Sequence, residues 1–361
     1  MSQISATSQS FVERIRGLRS DKRQSVSAVM KEVRAGYFGT DTDIELEAAM
    51  DDMFDDVIET LDAASASSKD GNHLGRLSEG YPLLGLGASG TRKTSTFSRM
   101  IHKRPEFEGF SHHPHLNTSP LISVKAPSPC TLRVLGITIA RAMGLAASDS
   151  MAENVVWDLI IDNVATRGVR FVHIDEFQHV MENRNVVDIA KIRNAMKRLV
   201  QTPEHPVWLL ITGMPEIATA IEGDTQLWRR KSYVLFHELD FARDAGLCRA
   251  MIQFFATTKA KLSCEEFKLD ENVHRLMHAS LFRLGIAIDV VVKAIRVALK
   301  AGAEDLKVEH FAAAYRTFTG CNDGANPFVV PSFKAVVVDK YVTRLLETQK
   351  ADAAGATKVG K

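Results

Sequence analysis

The stretch GASGTRKT, residues 87–94, differs at one residue from a phosphate-binding loop. The pattern G-x-x-x-x-G-K-[ST] needs a glycine at its sixth position, where this chain has Arg92. In such a loop, backbone N–H groups surround phosphate oxygens at the start of a helix, a lysine reaches the β- and γ-phosphates, and a hydroxyl binds Mg²⁺. Lys93 and Thr94 can supply that charge and that hydroxyl. The candidate nucleotide-binding residues are Gly87, Ala88, Ser89, Gly90, Thr91, Arg92, Lys93, Thr94 and Ser95.

Arg92 replaces the glycine that opens the helix in this pattern, where the backbone approaches the phosphates and little room is left for a side chain. Its charge would be attracted to phosphate, but it also repels Lys93 in the empty site. We weigh steric crowding above charge, so we expect a genuine phosphate-binding loop whose binding is compromised. Its expected ligands are ATP and Mg²⁺.

A second candidate group is the acid pair in RFVHIDEF, residues 170–177. Four mostly apolar residues lead directly into Asp175 and Glu176, which predicts a buried strand that ends in two carboxylates. ATPases that use an acidic base hold Mg²⁺ and a polarised water at such a strand end. Asp175 would hold the metal's water shell, together with Thr94, and Glu176 would orient and deprotonate the attacking water.

The order of elements predicts how these groups meet. Short apolar runs, YPLLGLG, LISVK, VRFVHI, VWLLIT and YVLF, alternate with helical patterns near 93–102, 130–144, 153–166, 186–200 and 214–221. Buried runs that each precede an amphipathic helix indicate a parallel sheet covered on both faces. The predicted fold class is α/β, a P-loop NTPase of the AAA+ type with a three-layer domain, followed by a helical lid.

The predicted domains are a helical lead-in over 1–70, the ATPase domain over 71–239, the lid over 240–320 and a tail over 321–361. Residues 13–34 hold seven Lys and Arg against three acids, so a local basic patch is compatible with a net charge of only +1. The four cysteines are far apart, which favours reduced thiols. With no signal peptide and no apolar run of membrane-spanning length, we expect a cytoplasmic protein without a membrane partner.

Two further segments resemble AAA+ ATPases. The strand VWLLIT ends at Thr212 just before GMPE, and a polar residue at that strand end senses or positions the water in AAA+ proteins. Arg229 and Arg230, in DTQLWRR, precede the last strand, where a neighbouring subunit's arginine completes the site of AAA+ rings. The alternatives are a helix-capping threonine and an exposed arginine pair.

Together these motifs resemble the TniB family, transposon-encoded AAA+ ATPases that regulate target selection in transposition. The matching segments lie between about residues 30 and 300: the loop at 87–94, LISVKAPSPCTLRVLGITIARAMGL, HIDEFQHV, LLITGMPE and DTQLWRR. The resemblance implies phosphate and Mg²⁺ contacts by Lys93 and Thr94, metal and water roles for the acid pair, a sensor at Thr212 and a finger at Arg230. The chain departs from the family at Arg92, and it has no clear second sensor arginine unless Arg283 serves.

The resemblance implies an ATP-dependent, DNA-binding regulator of transposition that assembles as a ring or filament on duplex DNA and recruits or activates a transposase. ATP hydrolysis is implied by the fold, and Arg92 places it in doubt. Two alternatives remain open. One is a scaffold of the same fold whose nucleotide site is idle. The other is a STAND-type signalling or defence ATPase.

Overall fold

The computed structural model describes residues 11–15, 17–70, 79–181, 186–202, 205–221 and 232–338. The chain forms two compact units, of which one is Thr40–His237 and the other combines Met1–Gly39 with Glu238–Lys361. The boundaries predicted at 70, 239 and 320 stay predictions. The helices of the predicted lead-in are divided between the two units.

The unit 40–237 contains a parallel sheet that the apolar runs predicted. Its strands are β1 (Pro82–Gly87), β2 (Leu121–Lys125), β3 (Phe171–Asp175), β4 (Trp208–Gly213) and β5 (Ser232–Phe236). The order across the sheet is β2-β3-β4-β1-β5, and every pairing is parallel. β1 therefore lies between β4 and β5, and β4 lies between β1 and β3, so the carboxyl ends of β1, β4 and β3 are neighbours along one edge.

Helices cover both faces of this sheet. In chain order, the helices of this unit are α2 (Asp41–Asp70), α3 (Lys93–Lys103), α4 (Leu132–Ala142), α5 (Glu153–Asn163), α6 (Gln178–Met181), α7 (Val186–Val200) and α8 (Glu216–Ile221), after α1 (Asp21–Ala35) of the other unit. Successive strand residues point to opposite faces: Leu83 packs with buried residues of α2 and α3, whereas Leu84 packs with buried residues of α4, α5 and α7. The three-layer α/β prediction is confirmed.

The other unit is helical in its described residues. Its C-terminal part contains α9 (Phe241–Gln253), α10 (Asp270–Ala279), α11 (Leu284–Ala301) and α12 (Val308–Thr319), with a π-helical turn at Phe254–Lys259. Helix α1 joins the same core through Met30 and Val33, and α1 lies against α11. The helical C-terminal region that the sequence predicted is confirmed. No helix in the described ranges is both long and apolar enough to span a bilayer.

Candidate nucleotide site at the strand ends

The glycine-rich turn joins β1 to α3. At Gly87, a Cβ atom would lie 2.5 Å from the carbonyl oxygen of Phe236 on the neighbouring strand, so a side chain has no room. Gly90 has a φ of +85°, in the left-handed region that glycine adopts without cost. Thr91 closes the turn by donating its hydroxyl to the carbonyl of Ala88 at 2.8 Å. Backbone geometry therefore requires glycine at two positions of this turn.

Lys93 is the first residue of α3, and its side chain folds back into the turn. The ammonium group donates to the carbonyl oxygens of Gly87 at 2.7 Å and Ala88 at 2.8 Å, and the residue is buried. The first N–H groups of a helix have no acceptor within the helix, and the helix dipole adds partial positive charge there. The lysine and the start of α3 thus concentrate positive charge at one point, as an anionic phosphate requires.

Arg92 immediately precedes α3 with φ +79° and ψ +10°, in the left-handed region. For an L-residue with a Cβ this conformation costs about 1–2 kcal/mol relative to the right-handed one, whereas glycine adopts it readily. Two hydrogen bonds hold the position, since the Ser95 hydroxyl and the Thr96 amide donate to the Arg92 carbonyl at 2.9 and 3.0 Å. The sequence predicted crowding beside phosphate, and the backbone supplies a separate reason why the pattern has glycine here.

Asp175 connects the loop to two strands. Its Oδ2 accepts a hydrogen bond from the Thr94 hydroxyl at 2.8 Å. Its Oδ1 accepts one hydrogen bond from the Thr212 hydroxyl and another from the backbone amide of Glu176, the second at 2.9 Å. The carboxylate is buried, as is Thr212. The pairing of Ile174 with Ile211 places Asp175 beside Thr212 at the ends of β3 and β4. Four of the predicted site residues, Asp175 and its three donors, are therefore joined through one carboxylate.

Glu176 follows with a φ of +56°, a second left-handed non-glycine backbone in the site. Its Oε2 accepts from the side-chain amide of Gln178 and lies 3.8 Å from Nε2 of His179. The Phe177 amide donates to the carbonyl of Thr212 at 2.9 Å and fixes this turn to β4. Residues in sparsely populated backbone regions concentrate at functional sites. Gln178 and His179, the polar partners of Glu176, were not predicted from the sequence, although they follow it by two and three residues in HIDEFQH.

His173 lies two residues before Asp175 on β3 and is buried. Its ring stacks on Phe97 of α3, and its Nδ1 lies 2.8 Å from the Ser123 hydroxyl. Burial lowers the pKa of His173 to about 4, although the Asp175 carboxylate acts in the opposite direction. The imidazole is therefore neutral at neutral pH, and the positive charge of the site comes from Lys93, Arg92 and the start of α3.

Other predicted site residues do not join this contact network. Ser89 lies half-buried in the turn. Arg229 and Arg230 lie outside the described residues. Arg283, the alternative second sensor, immediately precedes α11 in the other unit, with its Nε 3.7 Å from a carboxylate oxygen of Glu238. The roles of these residues stay predictions.

The oxygen donors at the strand ends fit a magnesium ion. Mg²⁺ prefers hard oxygen ligands, keeps several waters and uses one or two carboxylates together with phosphate oxygens. The Thr94 hydroxyl and the Asp175 carboxylate lie side by side and provide such donors. In the described part of the chain no cluster of three or more His, Cys, Asp or Glu side chains could hold a metal on its own. An ion at this site would need the phosphates of a nucleotide to complete its ligands.

The parallel sheet, the glycine-rich turn that opens α3 and the carboxylate at the end of β3 together define a P-loop NTPase fold. Residues 78–221, about two fifths of the chain, match the family described as AAA domain. No curated protein sequence matches the chain significantly.

Solved structures with a similar backbone are distant in sequence. Cdc6p from Pyrobaculum aerophilum is 12% identical with a TM-score of 0.48, covering 66% of this chain and 62% of its own. The Orc1 protein of Aeropyrum pernix in complex with DNA is 16% identical with a TM-score of 0.46, covering 68% and 61%. The Thermotoga maritima RuvB Holliday junction branch migration motor is 12% identical with a TM-score of 0.39, covering 77% and 72%. The chain thus spans a little over three fifths of the first two.

The contact between Thr212 and Asp175 leads to a stability prediction. Thr212→Val keeps the shape of the side chain and removes the hydroxyl that the buried Asp175 carboxylate accepts from. Leaving a buried charged acceptor short of a donor costs about 1–3 kcal/mol, so we expect the free energy of unfolding to fall by that amount. Urea denaturation measures it.

Thr212→Ser is the matched control, because it restores the hydroxyl and loses only a methyl group. We expect the free energy of unfolding of the serine variant to be closer to the parent value than that of the valine variant. Equal stability of the valine and serine variants would show that the hydroxyl does not hold the carboxylate.

Proposed function

We propose that this protein is an ATP-dependent AAA+ regulator of DNA transposition, which assembles on target DNA and recruits or activates a transposase. The observation that carries the nucleotide part is the Asp175 carboxylate, which accepts from the loop residue Thr94 and from the β4 residue Thr212. The transposition part rests on the resemblance of the loop, HIDEFQHV, LLITGMPE and DTQLWRR to the TniB family. Duplex DNA, a transposase and further copies of this chain are the proposed partners.

In this proposal each residue of the site has one task. Lys93 and the amides at the start of α3 bind and orient the nucleotide phosphates. Thr94 and Asp175 would hold Mg²⁺, which when bound neutralises charge that develops on the phosphate oxygens. Glu176 accepts a proton from the attacking water, and Thr212 is the sensor that positions that water.

A scaffold with an idle nucleotide site is the second candidate, and Arg92 is the observation that favours it. Arg92 adopts the left-handed backbone of the loop at a cost that glycine would not bear, and it adds a long, half-buried side chain to a loop whose pattern has none there. Such a scaffold would bind its partners without any response to ATP.

Nucleotide-dependent assembly on DNA tests the proposal. Size-exclusion chromatography with light scattering would be run on this chain and on Arg92→Gly, each with and without Mg-ATP and a duplex of defined length. We expect Arg92→Gly to form oligomers only with both ligands, and we expect this chain to assemble less. Binding should weaken as salt rises, because neutralised phosphates release counterions.

A protein that stays monomeric at low salt with both ligands, in the parent and in Arg92→Gly, would overturn the assembly proposal. Assembly on DNA that is the same with and without ATP in both proteins would instead favour the scaffold. A thermal shift with Mg-ATP, measured in parallel, establishes whether the nucleotide is bound in each sample.

A further inference from the structure

A basic groove of about 1,170 Å³ lies between helices α1 and α11, within the unit that combines 1–39 with 238–361. We call it the α1–α11 groove. Seven cationic side chains line it and no acidic side chain does. They are Arg19, Lys22, Arg23, Lys31, Arg34, Arg296 and Lys300. The chain as a whole carries a net charge of only +1, so an excess of acidic residues elsewhere in the chain offsets the positive charge of the groove.

The positive charges of the groove lack carboxylate partners in the described part of the chain. Among the described residues, none of the seven forms an ion pair with a carboxylate, whereas many exposed cations elsewhere do, such as Lys268 with Glu265. Burial and the facing guanidinium of Arg34 lower the pKa of Arg296, which reports like charges held near one another. Lys300, which also lines the groove, lies in the last turn of α11. An anionic ligand would relieve this repulsion.

The cations are spread over a length that suits a repeating polyanion. Helix α1 has 15 residues and is about 22 Å long at 1.5 Å per residue. Its groove-lining cations form two groups, Lys22 and Arg23 near its start and Lys31 and Arg34 near its end, and the hydroxyls of Ser20 and Ser27 also line the groove. Duplex DNA carries one charge per about 1.7 Å of its axis, and serine hydroxyls commonly contact phosphate oxygens. Groups of cations spread over the length of one helix suit such an extended, regular backbone better than a short, irregular acidic peptide.

A membrane surface fits the groove less well. Peripheral binding to lipid uses exposed apolar side chains together with basic ones. The larger apolar residues that line the groove are Val26, which is half-buried, and Met30, which is buried. The remaining lining is polar or charged, so the groove offers charge and hydrogen bonds without an apolar surface to insert.

We propose that the α1–α11 groove binds the phosphate backbone of duplex DNA, independently of base sequence. This inference rests on the proposed function, since it names the surface through which that function would meet DNA. The sequence showed the basic excess of residues 13–34, but Arg296 and Lys300 come from a helix far along the chain, and only the fold brings the two sets together.

Fluorescence anisotropy with a labelled duplex, titrated at several salt concentrations, tests the groove. The test variant is the triple Arg23→Gln/Lys31→Gln/Arg34→Gln. The matched control is Lys261→Gln/Lys268→Gln/Arg316→Gln, which removes three exposed cations from the same unit outside the groove. A third variant, Arg23→Lys/Lys31→Arg/Arg34→Lys, keeps the charge. Circular dichroism melting verifies that every variant is folded.

We expect the groove triple to bind at least tenfold more weakly than the parent at about 100 mM salt. Its slope of log K against log salt should be smaller by about 2–3, because each phosphate contact contributes about 0.9. The control triple and the charge-keeping variant should stay near the parent. These results together would support the groove.

The possible failures are distinguishable. A parent that binds duplex DNA, with equal affinity and salt slope in the groove triple and the control triple, would overturn the groove while leaving the proposed function standing. If neither the parent nor Arg92→Gly binds the duplex, with or without nucleotide, both proposals would be overturned. Polyglutamate or anionic phosphatidylserine vesicles that bind the parent through the groove more tightly than the duplex does would overturn the choice of ligand.

Discussion

In an Arg92→Gly background, Glu176→Gln is expected to keep ATP binding and to lose about 10²–10⁴-fold in turnover. The substitution replaces a carboxylate that can accept a proton with an amide of the same shape that cannot. The side chain would still hydrogen-bond with Gln178, whose amide donates to Glu176 in the structure. Loss of turnover without loss of binding is therefore the signature of a missing base and not of a rearranged turn.

Steady-state phosphate release and a separate binding measurement with a fluorescent ATP analogue would follow the two quantities. Glu108→Gln is a matched control, because Glu108 is an exposed glutamate of the same unit away from the strand ends. We expect it to match the parent in both measurements. Should Glu176→Gln hydrolyse ATP at the rate of its Arg92→Gly parent, another group would activate the water.

The strands were predictable because their signal is local. Each of the five apolar runs in the sequence coincides with a strand to within a residue or two, since a parallel strand covered on both faces is continuously apolar. The contact of Asp175 with Thr94 and Thr212 could be anticipated for the same reason. Once three parallel strand ends are neighbours, the polar residues that follow them meet.

Other features depend on the fold and left no local signal. The packing of α1 against α11 joins residues that are far apart in the chain, and the sequence of α1 does not indicate which helix it packs against. The left-handed backbones of Arg92 and Glu176 could not be predicted from the sequence either, because arginine and glutamate usually have a negative φ. The partners of Glu176, by contrast, were predictable. Gln178 and His179 are polar and follow Glu176 closely in the sequence.

Arg92→Gly is expected to tighten ATP binding by tenfold or more, which corresponds to about 1.4 kcal/mol per factor of ten. Two effects of the substitution act in the same direction. Glycine adopts the left-handed backbone at this position without the cost that Arg92 bears, and it removes a half-buried side chain from the loop that the pattern places around the phosphates. Isothermal titration with Mg-ATP measures the affinity of each protein.

The same variant should be more stable before any ligand is added. Relief of the left-handed strain predicts a gain of about 1 kcal/mol in the free energy of unfolding, reduced somewhat by the greater freedom of glycine in the unfolded chain. Saturating Mg-ATP should then raise its melting temperature, since ligand at a hundredfold excess over the dissociation constant adds about 2.7 kcal/mol. The chain with Arg92 should show a smaller shift or none.

Arg92→Ala separates the two effects, because alanine removes the long side chain but keeps the Cβ that disfavours the left-handed backbone. If the side chain is the main obstacle, Ala and Gly will recover ATP affinity equally and only Gly will gain stability without ligand. If the backbone is the main obstacle, Gly alone will recover both. Equal ATP affinity and equal thermal shifts in the Arg, Ala and Gly proteins would mean that Arg92 fits the loop, and its interpretation as a defect would be wrong.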